Sequence, residues 1–145
     1  MREKIIAFYP VEDNGQNNFT FSVEKLPMKN FKQTFILSLL DISLNNQNYL
    51  LMIRIEVATD QNLETVYTTT YHFNTNNSNF QPINIHGDVG SAGYNISTTF
   101  AITQVGNYKA TLELWTADQN QHKIQKQDTA ITYFTLKEGV SNGVS

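Results

Sequence analysis

A two-residue alternation of apolar and polar side chains runs through most of this sequence, and it limits the fold more than any other feature. Within residues 49–57, Tyr49, Leu51, Ile53, Ile55 and Val57 fall on one side, while Arg54 and Glu56 fall on the other. Ile96, Thr98, Phe100 and Ile102 alternate with Ser97, Thr99, Ala101 and Thr103. Tyr108, Ala110, Leu112 and Leu114 alternate with Lys109, Thr111, Glu113 and Trp115. Successive side chains of a strand point to opposite faces, so this period builds half-buried strands. Residues 66–73 (VYTTTYHF) suit a pleated surface and are poor helix material. Residues 19–26, 34–44 and 124–136 read the same way. In 35–44 the placement of Leu37, Leu40, Ile42 and Leu44 also fits a short helix. Thr34, Phe35 and Ile36 open that segment with no capping residue before them, which favours a strand.

Turn signals punctuate the alternation at 13–18 (DNGQNN), 45–48 (NNQN), 59–63 (TDQNL), 74–79 (NTNNSN), 87–93 (GDVGSAG), 104–107 (QVGN) and 117–121 (ADQNQ). Asn and Gly tolerate positive φ, and Asn and Asp side chains imitate a turn hydrogen bond. Short strands at 8–12-residue spacing predict an all-β fold. The expectation is a single antiparallel β-sandwich of about 8–9 strands, immunoglobulin-like or jelly-roll-like, over residues 1–137, with a flexible tail at 138–145. The predicted core is Leu51, Ile53, Ile55, Phe100, Ile102, Ala110, Leu112 and Leu114.

One local pattern refines this. Residues 98–115 (TTFAITQVGNYKATLELW) run as a strand, a short corner containing Gly106, and Tyr108 at the start of the next strand. The pattern resembles the penultimate corner of immunoglobulin-like sandwiches, in which a tyrosine hydroxyl bonds back to nearby backbone. The Cys…Trp…Cys frame of antibody domains is missing, so the likeness concerns architecture alone.

Composition then removes classes of function. The chain has no cysteine, which excludes disulfide frameworks, Cys-rich zinc sites and thiol nucleophiles. Ten basic residues against thirteen acidic ones supply no cationic field for a phosphate backbone, so no nucleic-acid partner is expected. No run approaches the roughly 18 apolar residues of a membrane span, and no membrane partner is expected. The apolar run 5–9 before Pro10 is too short for a signal-peptide core, so the sequence reads as cytoplasmic.

Candidate chemistry is sparse. His72, His86 and His122 lack metal-site spacing, so neither a metal nor a cofactor is expected. His86-Gly87-Asp88 reads as a polar turn rather than a base oriented by a carboxylate. Gly90-Ser91-Ala92-Gly93 has the wrong spacing for a nucleophile elbow, and the glycines lack the lysine of a phosphate loop. Asp41 is an acid inside an apolar run, where burial would raise its pKa and suit it to acid catalysis. The plainer and favoured reading is a charge at a strand edge, or an inward-pointing one, that discourages sheet-to-sheet aggregation. Trp115 falls on the wetter face of its strand and, with Tyr67, Tyr71, Tyr94 and Tyr133, could offer a sugar-stacking surface. The tyrosines read more simply as core or cross-strand pairs, and Trp115 itself more simply as core after a local register change.

The sequence therefore predicts a small non-catalytic binding or assembly module, not an enzyme, acting through a sheet edge or loops. Its partner would be another protein or a second copy of itself. The alternative is a carbohydrate-binding sandwich using Trp115. Counting one sandwich crossing per strand, with a short strand at 81–86, gathers 13–18, 45–48, 74–79 and 104–107 at one amide-rich end. The loops at 28–30, 59–63, 87–93 and 117–121 gather at the other. The expected ligand-binding residues are Asn46, Asn76 and Asn77 at the amide-rich end, together with Trp115.

Overall fold

The alternating segments pair as the period requires. In the computed structural model, which describes residues 3–12, 18–77, 81–82, 87 and 89–139, nearly every one of them is a strand. The strands are β1 (Lys4–Val11), β2 (Thr20–Val23), β3 (Met28–Ser43), β4 (Asn48–Ala58), β5 (Leu63–Asn74), β6 (Gln81–Pro82), β7 (Val89–Ile102), β8 (Gly106–Ala117) and β9 (Lys123–Glu138). They form two sheets, ordered β1-β3-β7-β6 and β2-β9-β8-β4-β5, packed as a β-sandwich. Segment 35–44 lies within β3, so the strand reading holds over the helical one.

Each sheet turns its apolar face inward. Phe35, Leu37 and Leu39 from β3 meet a layer of Tyr49, Ile53, Ile55, Leu112 and Leu114 from β4 and β8, all 0–1 % exposed. All eight residues predicted for the core are buried. Phe134 of β9 ties the layers together: its ring meets Phe35 edge-on at 5.9 Å and stacks on Tyr108 at 5.4 Å. Burying one such side chain contributes about 1.5–3 kcal/mol, and offset or edge-to-face ring pairs add to that.

The tyrosine corner is present. Tyr108 donates its hydroxyl hydrogen bond to the Gln104 carbonyl at 2.6 Å, and Gly106 between them takes φ +132°, which favours glycine. The corner closes the loop between β7 and β8 as it does in immunoglobulin-like sandwiches.

Several details depart from expectation. β2 runs parallel to β9, pairing Thr20 with Thr135 and Val23 with Glu138, and the chain leaves β1 and enters β3 at the same end of the sandwich. Residues 28–30, expected in a loop, open β3. Gly90 to Gly93, expected in a turn, belong to β7 opposite Ser38, Leu39 and Ile42. They lie where β3 carries a bulge between Leu39 and Ile42, and glycine is at home beside such irregularities. β9 continues to Glu138, one residue past the expected end of the sandwich, and the Gly139 N–H reaches the Val23 carbonyl at 2.7 Å. Residues 140–145 lie outside the described residues.

The ends of the sandwich also differ from the count. β6 is two residues long and turns back beside Gly90 and Ser91 without crossing, so β7 starts at the end where β5 finished. Parity is reversed from there on. The loop at 104–107 therefore lies at the opposite end from 45–48 and 74–77, while 117–121 joins the amide end, with Ala117 paired to Asn48. The expected place of 13–18 fails as well. β2 does not cross the sandwich, so Asn18 lies at the end where β3 and β8 begin, opposite 45–48. Its amide donates to Glu12 at 2.6 Å, and its side-chain oxygen accepts the Thr20 N–H. Residues 13–17 and 78–80 are outside the described residues.

Candidate functional site

At the amide end, Asn46 and Asn76 do come together, through Asn74. The Asn74 side-chain amide donates to the Asn46 and Asn48 oxygens at 3.0 and 2.9 Å, and its own oxygen accepts the Asn76 N–H at 2.8 Å. Below them, Gln47 N–H donates to the Thr75 hydroxyl at 3.0 Å, and Thr75 N–H donates to the Gln47 carbonyl at 3.1 Å. Asn46 takes φ 54°, a left-handed conformation that asparagine tolerates better than most residues. These amides hold the β3–β4 loop against the end of β5. The side chain of Asn77 falls outside the described residues.

Trp115 sits half-buried on the outer face of the five-stranded sheet, as its place in the alternation predicts. Its indole N–H donates to Glu113 at 2.9 Å. Lys123 stands 4.7 Å from the ring centroid and Lys126 5.9 Å from it, and Lys126 also approaches Glu113 at 3.9 Å. Both lysines come from β9, so the ring takes part in a cation–π cluster. The tyrosines do not join it. Tyr67, Tyr71 and Tyr94 lie on the inner side of β5 and β7, and Tyr133 stands exposed opposite Lys109 on the outer face.

The remaining candidates have structural settings. His72 is exposed and within 3.2 Å of the Asn48 side-chain oxygen. His122 and Asp118 share a turn, where the Asp118 carboxylate accepts the N–H groups of Asn120 and His122 at 2.8 and 2.9 Å. The His122 N–H is the main reason the Asp118 carboxyl is held below its ordinary pKa. His86 and Asp88 lie outside the described residues. Among the described residues no cluster of three His, Asp or Glu side chains could hold a metal ion. Asp41 is half-exposed at φ 61°, in the bulge of β3. A short acidic side chain tolerates that backbone, which accounts for an acid inside an apolar run.

The sequence reading missed the side of the sandwich formed by β5 and β7. β5 is an outer strand whose inward side chains, Tyr67, Thr69, Tyr71 and Phe73, pair with Ile55, Ile53, Leu51 and Tyr49 of β4. Tyr67 stacks on Phe100 of β7 at 5.7 Å, and Phe73 stacks on Tyr49 at 5.2 Å. Between them the sheets part, leaving a groove of ≈ 220 Å³ lined by Leu51, Tyr71, His72, Phe73, Tyr94 and Ile96. Burial raises the Tyr71 hydroxyl pKa above its ordinary value, with the neighbouring Tyr67 contributing. Residues 65–74 and 92–102, which make up this side, contain no Asp, Glu, Lys or Arg. That gap was visible in the sequence. A strand's place at a sheet edge was not.

No protein-family model matches the chain, and no curated protein does. Among solved structures it is similar to a bacterial adhesin from Mobiluncus mulieris that contains intramolecular disulfide, isopeptide and ester bond cross-links, in two crystal forms. The TM-score is 0.56 with 10 % identity over 94 % of this chain in one form. In the other it is 0.57 with 13 % identity over 98 %. This chain spans 58 % and 51 % of the length of those two chains. At that identity the likeness is one of fold.

Proposed function

We propose that this chain is a non-catalytic binding or assembly module whose working surface is the uncharged side formed by residues 65–74 of β5 and 92–102 of β7. The observation that carries the reading is a strand edge of 12 residues, free of lysine, proline and glycine, beside an apolar groove. Such an edge offers main-chain hydrogen bonds to an added strand, and a groove beside it accepts alternate side chains. The adhesin-like sandwich agrees with a binding role. The cross-links of that adhesin are a different matter. A disulfide needs cysteine, which this chain lacks, and an isopeptide bond needs a side-chain amine, yet no described lysine is buried. The sugar-binding alternative is less well supported, because Lys123 stands over the Trp115 ring it would use.

Thr68 and Thr70 are exposed on the outer face of β5, so lysine at both positions charges the edge without touching the core. Proteins captured from the native host by the wild-type chain should be lost with the variant Thr68→Lys plus Thr70→Lys. An unchanged captured set would count against this surface.

A further inference from the structure

The outer strands of the two sheets differ in how well they are protected. β1 carries Pro10 and a register shift between Ile5 and Ala7, and Asp128 of the opposite sheet accepts the Ile5 N–H at 2.8 Å. β2 has four residues and β6 has two, one of them Pro82. These are familiar ways of blunting a sheet edge. β5 has none of them between Tyr67 and Phe73, where its pairing with β4 is regular; the one register shift lies at Ile55/Glu56. On the same side, among the described residues, β3 is the strand paired with Ile96–Ile102 of β7, since β6 reaches only Gly90 and Ser91.

We propose that a second copy of this chain docks here, with β5 pairing antiparallel to its counterpart about a two-fold axis at Thr70. The inference rests on the reading of the chain as a binding module and names its partner. Thr70 is the midpoint of the regular segment 67–73. Paired with itself, that segment sets Tyr67 opposite Phe73 of the second copy, Thr68 opposite His72, Thr69 opposite Tyr71, and Thr70 opposite Thr70. A two-fold interface must be self-complementary. Aromatic pairs and threonine pairs are favourable across strands, and no like charges meet. The neutrality of 65–74 and 92–102 leaves no charge to be buried unpaired on either side. A free peptide would extend one sheet only. A second copy also brings its own β7 alongside β7, so both sheets continue and the groove between them closes from both sides.

Sedimentation of the full chain over a range of concentrations tests this, with two variants at the exposed Thr70. The wild type should form a concentration-dependent dimer. Thr70→Lys sets two lysines directly opposite each other and should weaken the dimer by about fivefold, the loss shrinking in high salt. Thr70→Cys adds a thiol to a chain with no other cysteine. Opposed residues of an antiparallel pair stand about 4.5–5.5 Å apart at Cα, within disulfide reach, so mild oxidation should link the dimer. Thr129→Cys, exposed on β9, should not link. A strict monomer at about millimolar concentration would overturn the proposal. So would a dimer insensitive to Thr70→Lys that Thr70→Cys fails to link. A monomeric wild type whose host-protein capture is still lost on charging β5 would overturn self-pairing and leave the binding-module reading standing.

Discussion

Replacing Leu112 with alanine should lower the unfolding free energy by about 2–5 kcal/mol, the usual range for truncating a buried leucine. Leu112 is 0 % exposed and sits in β8, between Ile53 of β4 and Ala130 of β9. Both flanking strands are held in register by their own ladders, so the backbone has little freedom to close the space left behind. Loss of transfer energy and an unfilled cavity therefore add together. Urea titration should show a lower midpoint with an unchanged slope. Ile131→Ala on the outer face of β9, where the side chain is 48 % exposed, should cost far less. A loss below about 1 kcal/mol at Leu112 would mean that the inner face has been assigned wrongly.

Tyr49 should make the fold sensitive to alkali. Its ring is fully buried, and its hydroxyl donates to the Glu3 carboxylate at 2.8 Å and accepts the Ser43 N–H at 2.9 Å. Burial pushes the hydroxyl pKa up, and the Glu3 carboxylate pushes it further, against the Ser43 N–H that lowers it. Burial also raises the Tyr108 hydroxyl. A tyrosine whose folded pKa lies above its unfolded value of about 10 binds its proton more tightly when folded. Its contribution is complete below about pH 10 and is lost as pH rises toward the folded value, at up to about 1.4 kcal/mol per pH unit for each such group. Tyr49→Phe should flatten this alkaline decline. At neutral pH it should cost about 1–3 kcal/mol, because the Ser43 N–H loses its acceptor. Denaturant titrations at pH 8 to 11 on both chains measure the two effects. An identical decline in both would remove Tyr49 from the account.

What the sequence made legible was local. The period of two placed Leu51, Ile53, Ile55, Leu112 and Leu114 in the core because facing is decided residue by residue along a strand. Tyr108 and Gly106 marked their corner within a few positions of each other. The errors arose where the outcome depends on distant segments. β6 looks like any short strand, and only its partner in β7 shows that it turns back without crossing. That single element displaced the 104–107 loop to the wrong end. Alternation alone puts Trp115 on the outer face, where it lies without packing into the core, yet Lys123 and Lys126 reach it from a different strand. Asp41 drew attention as an acid among apolar residues, whereas the left-handed backbone of a bulge explains its presence. The uncharged stretches 65–74 and 92–102 stood in plain view. Their meaning depended on β5 lying at a sheet edge, which no residue of β5 encodes.

Amide hydrogen exchange read by mass spectrometry in dilute and concentrated solution tests the role of β5 most directly. In dilute solution the central strand β8 should exchange slowly and β5 faster, as an edge strand paired on one side. At high concentration protection should grow over 67–73 of β5, and β1 and β2 should stay as they were. Protection that grows on β1 or β2 instead, or on no edge at all, would contradict the account.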